Sequence, residues 1–110
     1  MSEETCTWNG VASQYTYWVT SLDANFKEES GNYIFAKRSG NHWTPVYIGQ
    51  TDNLRRRLSN HDKEACVRQH GATHIHAHLN DNEQNRRDEE VDLIKKWQPP
   101  CNEQLFRTRL

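Results

Sequence analysis

Two stretches with helical periodicity carry charged residues where apolar ones should stand. In the stretch that ends before Pro99-Pro100, a turn of 100° per residue puts Glu90 in the middle of an arc made by Val91, Leu93, Ile94 and Trp97. A carboxylate there is costly unless something compensates it. It would be paired with an internal arginine, bound to a metal, or engaged in acid–base chemistry. Asp88, Glu89 and Asp92 fall away from that centre and read as ordinary solvated charges. In the earlier stretch Arg57 and His61, four residues apart, share the side of Leu54, Leu58 and Ala65, while Arg55 and Arg56 point elsewhere. An inward arginine calls for an anion, and the spacing leaves open whether that is Glu90 or a phosphate. His61 taken alone reads as a satisfied core histidine.

These residues need elements to position them. Tyr15–Val19 is dense in β-formers and reads as a strand, after a loose arm over residues 1–13. Residues 31–38 and 45–50 read as two strands of a hairpin around the turn residues 39–42. On its first strand Tyr33 and Phe35 oppose Ile34 and Ala36; on its second Tyr47 and Gly49 oppose Val46 and Ile48. Two tyrosines beside an inward Arg, His and Glu would make one cluster of phenol, cation and carboxylate. Gly49 would let backbone or ligand approach closely. Asp52 should cap a helix over 53–69 that Gly71 stops. Residues 73–79 alternate as a further strand, with His74, His76 and His78 on one face. Zinc binding, nucleic-acid contact and an ordinary polar face all remain open for them, although no carboxylate or cysteine completes a metal site in sequence. Asn80 or Asp81 should cap the last helix, which ends before the two prolines. The order predicts an α+β domain with a small, mostly antiparallel sheet of three to four strands flanked by helices.

Composition narrows the class. The chain has 110 residues, enough for one domain, with 34% hydrophobic and 26% charged residues and a mean hydropathy of -1.09. Four Trp, four Tyr and three Phe supply a thin core. No apolar run approaches the ~20 residues of a membrane span, and the acidic start lacks a signal-peptide pattern. Cys6, Cys66 and Cys101 are odd in number and far apart, so reduced thiols in an intracellular protein are expected rather than a disulfide scaffold. The net charge of -1 hides an asymmetry: residues 1–30 carry five acids and one Lys, and the remainder is net basic. That allows a local basic face without a general nucleic-acid coat.

Taken in order, the motifs have a known pattern. Gly31-Asn32-Tyr33, Tyr47-Ile48-Gly49, the run Asp52 to Leu58, Glu90 with Leu93-Ile94-Lys95, and Gln98-Pro99-Pro100-Cys101-Asn102 resemble the GIY-YIG endonuclease family over roughly residues 31–102. The resemblance implies a catalytic domain over 31–105, preceded by an extension over 1–30 with one extra strand and followed by a tail over 106–110. It implies an intracellular phosphodiesterase acting on DNA with one divalent metal, Mg²⁺ or Mn²⁺. The alternatives are an RNA-processing nuclease and a nucleic-acid-binding module with lapsed catalysis. Tyr33 and Tyr47 match the two motif tyrosines, Arg57 the phosphate-binding arginine, and His61 a position one turn later. Glu90 matches the metal ligand and Asn102 the terminal asparagine that steadies the site. Tyr47, ionised or acting through His61, would take the proton of the attacking water and Tyr33 would orient it. Lys37, Gly49, Arg55 and Arg56 are the expected nucleic-acid contacts. A core this small is expected to have weak intrinsic specificity, or to rely on a dimer or a partner. Asn32 departs from the Ile or Val usual in the first motif.

Overall fold

β-Branched and aromatic residues set where the strands run, and two hairpins built from them meet across a fifth strand. The computed structural model describes residues 4–102, so the expected tail over 106–110 lies outside the described residues. The elements in order are β1 (Thr5–Asn9), β2 (Gln14–Ser21), β3 (Gly31–Ser39), β4 (His42–Thr51), α1 (Leu54–Ser59), α2 (Glu64–Gln69), β5 (His74–Leu79) and α3 (Glu83–Trp97). All strand pairs are antiparallel, in the order β1-β2-β5-β3-β4. The sheet thus has five strands rather than three or four. The difference is β1, which lies in the expected loose arm. Its TCTWN sequence is short and polar, and it buries one large side chain, Trp8. No helix among the described residues is long and apolar enough to cross a membrane.

Each face of the sheet has its own core. Tyr33, Phe35, Val46, Ile75 and Ala77 pack with Leu54 of α1 and Val67 of α2. Ile34, Ala36, Ile48, Trp8 and Tyr17 pack with Leu93 and Ile94 of α3. Val46 falls on the α1–α2 face, not with Ile48 as simple alternation requires. A register shift explains it: Phe35 pairs Tyr47 while Ala36 pairs Pro45, leaving Val46 as the extra residue of a bulge. The three β5 histidines turn toward α3. His76 is fully buried, and its Nδ1 accepts a bond of 2.9 Å from Trp8 Nε1. His78 Nε2 lies 2.7 Å from Glu89 Oε2. His76 is thus closed to nucleic acid, and His78 is partly exposed.

The single helix expected over 53–69 is two helices. Asn53, not Asp52, caps α1 through a bond from Arg56 N to its Oδ1 at 3.0 Å. Asn60 leaves the helical region with φ -150° and ψ 71°, and the turn that follows buries His61. The apolar period runs on across this break, so periodicity alone merges the two pieces. α3 is capped by Asn82 rather than Asn80 or Asp81, and it ends at Gln98 in the left-handed conformation, φ 46°.

The N-terminal hairpin is locked onto α3. Asp92 accepts hydrogen bonds from Ala12 N at 2.9 Å, Ser13 N at 3.2 Å and Tyr15 Oη at 2.8 Å. Trp97 Nε1 donates to Asn9 O at 2.9 Å. A Cβ on Gly10 would stand 2.2 Å from Asp92 Oδ2, so any side chain there would displace the carboxylate from this clamp. Asp92 is therefore a buttress, not a solvated charge. Asp92→Ala should lower unfolding stability by about 2 kcal/mol, the scale of lost charge-assisted bonds. Denaturant unfolding measures this, and a loss indistinguishable from zero would remove Asp92 from that role.

Candidate active site

The site is organised around one phenol. Tyr33 pairs with Gly49 across the β3–β4 ladder, and a Cβ on Gly49 would lie 2.6 Å from Tyr33 Cζ and Oη. The space left by the glycine is thus filled by the Tyr33 ring, not held open for a ligand as the sequence suggested. Tyr33 Oη receives Arg57 Nε at 3.3 Å and lies 2.7 Å from His61 Nε2. His61 Nδ1 accepts the Lys63 backbone N–H at 3.0 Å. That acceptor role places the proton of the neutral ring on Nε2, which donates to Tyr33. With two N–H donors on its oxygen, Tyr33 keeps its own proton for a third partner.

Tyr47 completes the wall. Its ring stacks on Tyr33 with centroids 6.1 Å apart and meets His61 edge-on at 4.9 Å. Its hydroxyl lies close enough to the Arg57 side chain to favour the guanidinium charge. The other end of Arg57 pairs with Asp62 at 2.8 Å and not with Glu90, which closes one of the two readings left open for it.

Charge states follow from burial and neighbours. Burial, and then the Arg57 charge, push His61 down to about 4, so its ring is neutral at physiological pH. Burial drives the Tyr33 hydroxyl well above the usual phenol range, against the opposing pull of Arg57. Burial works against the Arg57 charge, but contacts with Tyr33 and Asp62 outweigh it and hold the guanidinium firmly protonated. Glu90 is half-buried and makes no hydrogen bond or ion pair with another described residue. Burial raises its carboxyl to about 6, with Arg87 pulling the other way. Glu90 in turn helps to raise Tyr33, so carboxylate and phenol lie within electrostatic reach of each other. A desolvated carboxylate without a partner is a fitting ligand for a hard cation, which prefers oxygen donors.

Asn102 acts on the backbone of the second motif. Its Oδ1 accepts from Ile48 N at 2.9 Å and its Nδ2 donates to Ile48 O at 2.8 Å. Cys101 N donates to Val46 O at 3.0 Å, so this short segment lines the outer edge of β4 at the bulge. Of the expected nucleic-acid contacts, Arg55 borders an open cleft with Phe26, Leu58 and Ser59. Arg56 is exposed and reaches Asp52 at 3.4 Å. Lys37 is exposed and its stem lies beside Gly71, so the structure does not bring it to the tyrosine cluster.

Sequence reasoning missed the polar residues around Glu90. Glu89 is buried and accepts from Tyr17 Oη at 2.5 Å while contacting His78. Arg86 is also buried, donating to Gln50 Oε1 and to Asn80 O, both at 3.0 Å. Asn32 donates to Arg86 O at 3.0 Å, and its Oδ1 has no partner among the described residues. The signal was the i, i+3, i+7 spacing of 86, 89 and 93, which marks one stripe. The expected reduced thiols are corrected as well: Cys66 and Cys101, 35 residues apart, form a disulfide, and Cys6 is free. The fold brings them together by packing α2 and the segment after α3 into one core.

The β3–β4 hairpin thus carries both motif tyrosines with Arg57 beside them. Comparison with known proteins gives the family. No family model and no curated protein matches the chain. Solved structures do match, among them the GIY-YIG N-terminal endonuclease domain of UvrC from Thermotoga maritima bound to magnesium, its catalytic divalent cation. That match has 32% identity and a TM-score of 0.56, and covers 69% of this chain and 85% of the other. Two tyrosine-to-phenylalanine mutants of the same domain match at 31% and 34% identity, each with a TM-score of 0.56 and 69% of this chain covered; 84% and 85% of those chains are covered. The chain belongs to the GIY-YIG endonuclease family.

Two outcomes test these charge states. The folded-state pKa of Glu90 lies above its ordinary 4.5, so ionisation opposes folding once pH passes about 6. Glu90→Gln should therefore be more stable than the parent at pH 7–8, by about 1 kcal/mol after allowing for solvent screening. The difference should vanish below about pH 4.5, where the carboxyl is neutral folded or unfolded. For His61 the sign is opposite: the stability gained from keeping it neutral is full above pH 6.5 and is lost as pH falls toward about 4. Ring ¹⁵N correlations should show the Nε2–H tautomer unchanged from pH 8 down to 5; an imidazolium signal at pH 6 would contradict the assignment.

Proposed function

We propose that this chain is a metal-dependent endonuclease that hydrolyses phosphodiester bonds in DNA, with Glu90 as the metal ligand. The observation that carries the proposal is Glu90, half-buried, without a hydrogen bond or ion pair to another described residue, and close enough to raise the Tyr33 hydroxyl. The UvrC domain with a bound catalytic cation supports it. Glu90 would hold Mg²⁺ or Mn²⁺, which when bound would supply Lewis-acid stabilisation of the leaving 3′ oxygen.

The protein's own residues do the rest. Arg57 binds the non-bridging oxygens of the phosphate, its Nε steadied on Tyr33 and its terminal nitrogen exchanging the exposed Asp62 for substrate. Tyr33 stays protonated and points its O–H at the attacking water, because His61 and Arg57 already occupy its oxygen. Tyr47 takes the proton from that water, its hydroxyl close to the Arg57 side chain. His61 is a positioning residue and not the base: Nδ1 accepts from Lys63 and Nε2 faces Tyr33. Asn102 holds the backbone between Tyr47 and Gly49, and Arg55 and Arg56 contact DNA phosphates outside the site.

The test is nicking of plasmid DNA with and without Mg²⁺, alongside matched RNA. Glu90→Gln should abolish metal-dependent nicking yet fold; near-normal nicking would sink the proposal. Tyr47→Phe should slow single-turnover cleavage about 10²-fold or more, and Arg57→Lys should lose catalysis far more than binding. At limiting Mg²⁺ activity should fall as pH drops through about 6, where Glu90 takes up a proton. Raising Mg²⁺ should move that midpoint lower, since cation and proton compete for one carboxylate.

A further inference from the structure

Away from the tyrosine cluster, three soft ligand atoms converge. Cys66 and His70 stand four apart at the end of α2 and so lie on one side of it. Cys101 meets them from the segment that follows α3. The two sulfurs and His70 Nδ1 all lie within 4.8 Å of one another. His70 Nδ1 is 3.6 Å from Cys66 Sγ and 3.5 Å from Cys101 Sγ. A tetrahedral zinc with Zn–S of about 2.3 Å and Zn–N of about 2.0–2.1 Å needs a sulfur-to-nitrogen edge of about 3.5 Å.

We propose that Cys66, His70 and Cys101 form a binding site for Zn²⁺ in the reduced chain, taking over the cross-link that the disulfide makes in the oxidised one. Reduction comes first and needs an external thiol: two RSH give RSSR and leave two cysteine thiols. Zinc then binds both sulfurs as thiolates, releasing two protons to solvent. His70 Nδ1, which bonds the Cys66 carbonyl at 3.0 Å in the disulfide form, binds as the neutral ring with its proton moved to Nε2. His70 is exposed, so the fourth position opens to water. Cys101 is buried, which keeps its thiolate in the protein interior and favours a cation beside it. Either cross-link ties α2 to the residue before Asn102, and so to the edge of β4.

Cobalt titration of the full chain tests this, because thiolate-bound Co²⁺ gives a sulfur charge-transfer band and intense tetrahedral visible bands. The dithiothreitol-reduced protein should take up one Co²⁺ with these bands, and Zn²⁺ should displace it. The oxidised protein should show neither. Cys66→Ser and Cys101→Ser should each lose the sulfur band, and His70→Ala should weaken uptake roughly tenfold or more, having lost one of three protein ligands. Co²⁺ held on Glu90 would have oxygen ligands and no sulfur band, so the result is independent of the nuclease reading. No sulfur band in the reduced protein overturns the proposal. So does an equal band in the oxidised protein, or uptake unchanged by His70→Ala, which would be binding to thiols that the fold has not arranged.

Discussion

The hydroxyl oxygen of Tyr33 is the point that four elements must agree on. A phenol buried on a sheet face is costly unless its oxygen is bonded. β3 brings the ring, β4 makes room for it by having no side chain at Gly49, and α1 and the turn after it bring Arg57 and His61. The break at Asn60 belongs to the same constraint. It lets His61 turn inward and lets Lys63 offer its backbone N–H to Nδ1, and that single bond decides which ring nitrogen faces Tyr33. The outcome is a phenol with its acceptor capacity filled and its proton uncommitted, a group suited to direct a water molecule and unsuited to remove its proton.

Three acids on α3 show how position outweighs residue type. Glu89 is buried and satisfied by Tyr17 and His78. Asp92 is met by backbone N–H groups and Tyr15, and those bonds keep it ionised despite its partial burial. Glu90, one residue and 100° of rotation from Glu89, receives no hydrogen bond or ion pair from another described residue. The first two fix the rotation of α3 about its axis, and that rotation decides what Glu90 faces. Both anchors come from the N-terminal hairpin or the strand beside it. The extension before the first motif therefore has a structural consequence for the site, even though it contributes no residue to the tyrosine cluster.

What the sequence made legible was local. The two tyrosines, the inward Arg57 and the carboxylate in an apolar arc follow from periods of 2 and 3.6 within single elements, and so do four of the five strands; His61 is inward too, but in the turn after α1 and not on a helix. What it hid depends on partners far along the chain. Asp92 and Glu89 look solvated until residues 80 and 72 positions away are folded against them. Val46 changes face because of a bulge that only the pairing with β3 reveals. The helix break is hidden for the opposite reason: Leu54, Leu58 and Ala65 keep a continuous apolar period across a turn that is not helical. The cysteines read as unrelated because nothing local says that α2 and the segment after α3 share a core.

The closing segment shows why one amide suits its place. β4 is an edge strand, so the backbone N–H and C=O of Ile48 on its outer side have no partner strand. Asn102 meets both with one side chain, accepting from the N–H and donating to the C=O. An aspartate would keep the acceptor but set a negative carboxylate against the carbonyl oxygen. A leucine would leave both backbone groups unmet at a partly buried position, where each lost bond costs on the order of 1–3 kcal/mol. Because the contact is to backbone, it fixes the path of the strand between Tyr47 and Gly49 whatever side chain Ile48 carries. Tyr47 then keeps its stack on Tyr33, and Gly49 stays at the one distance that leaves room for the phenol.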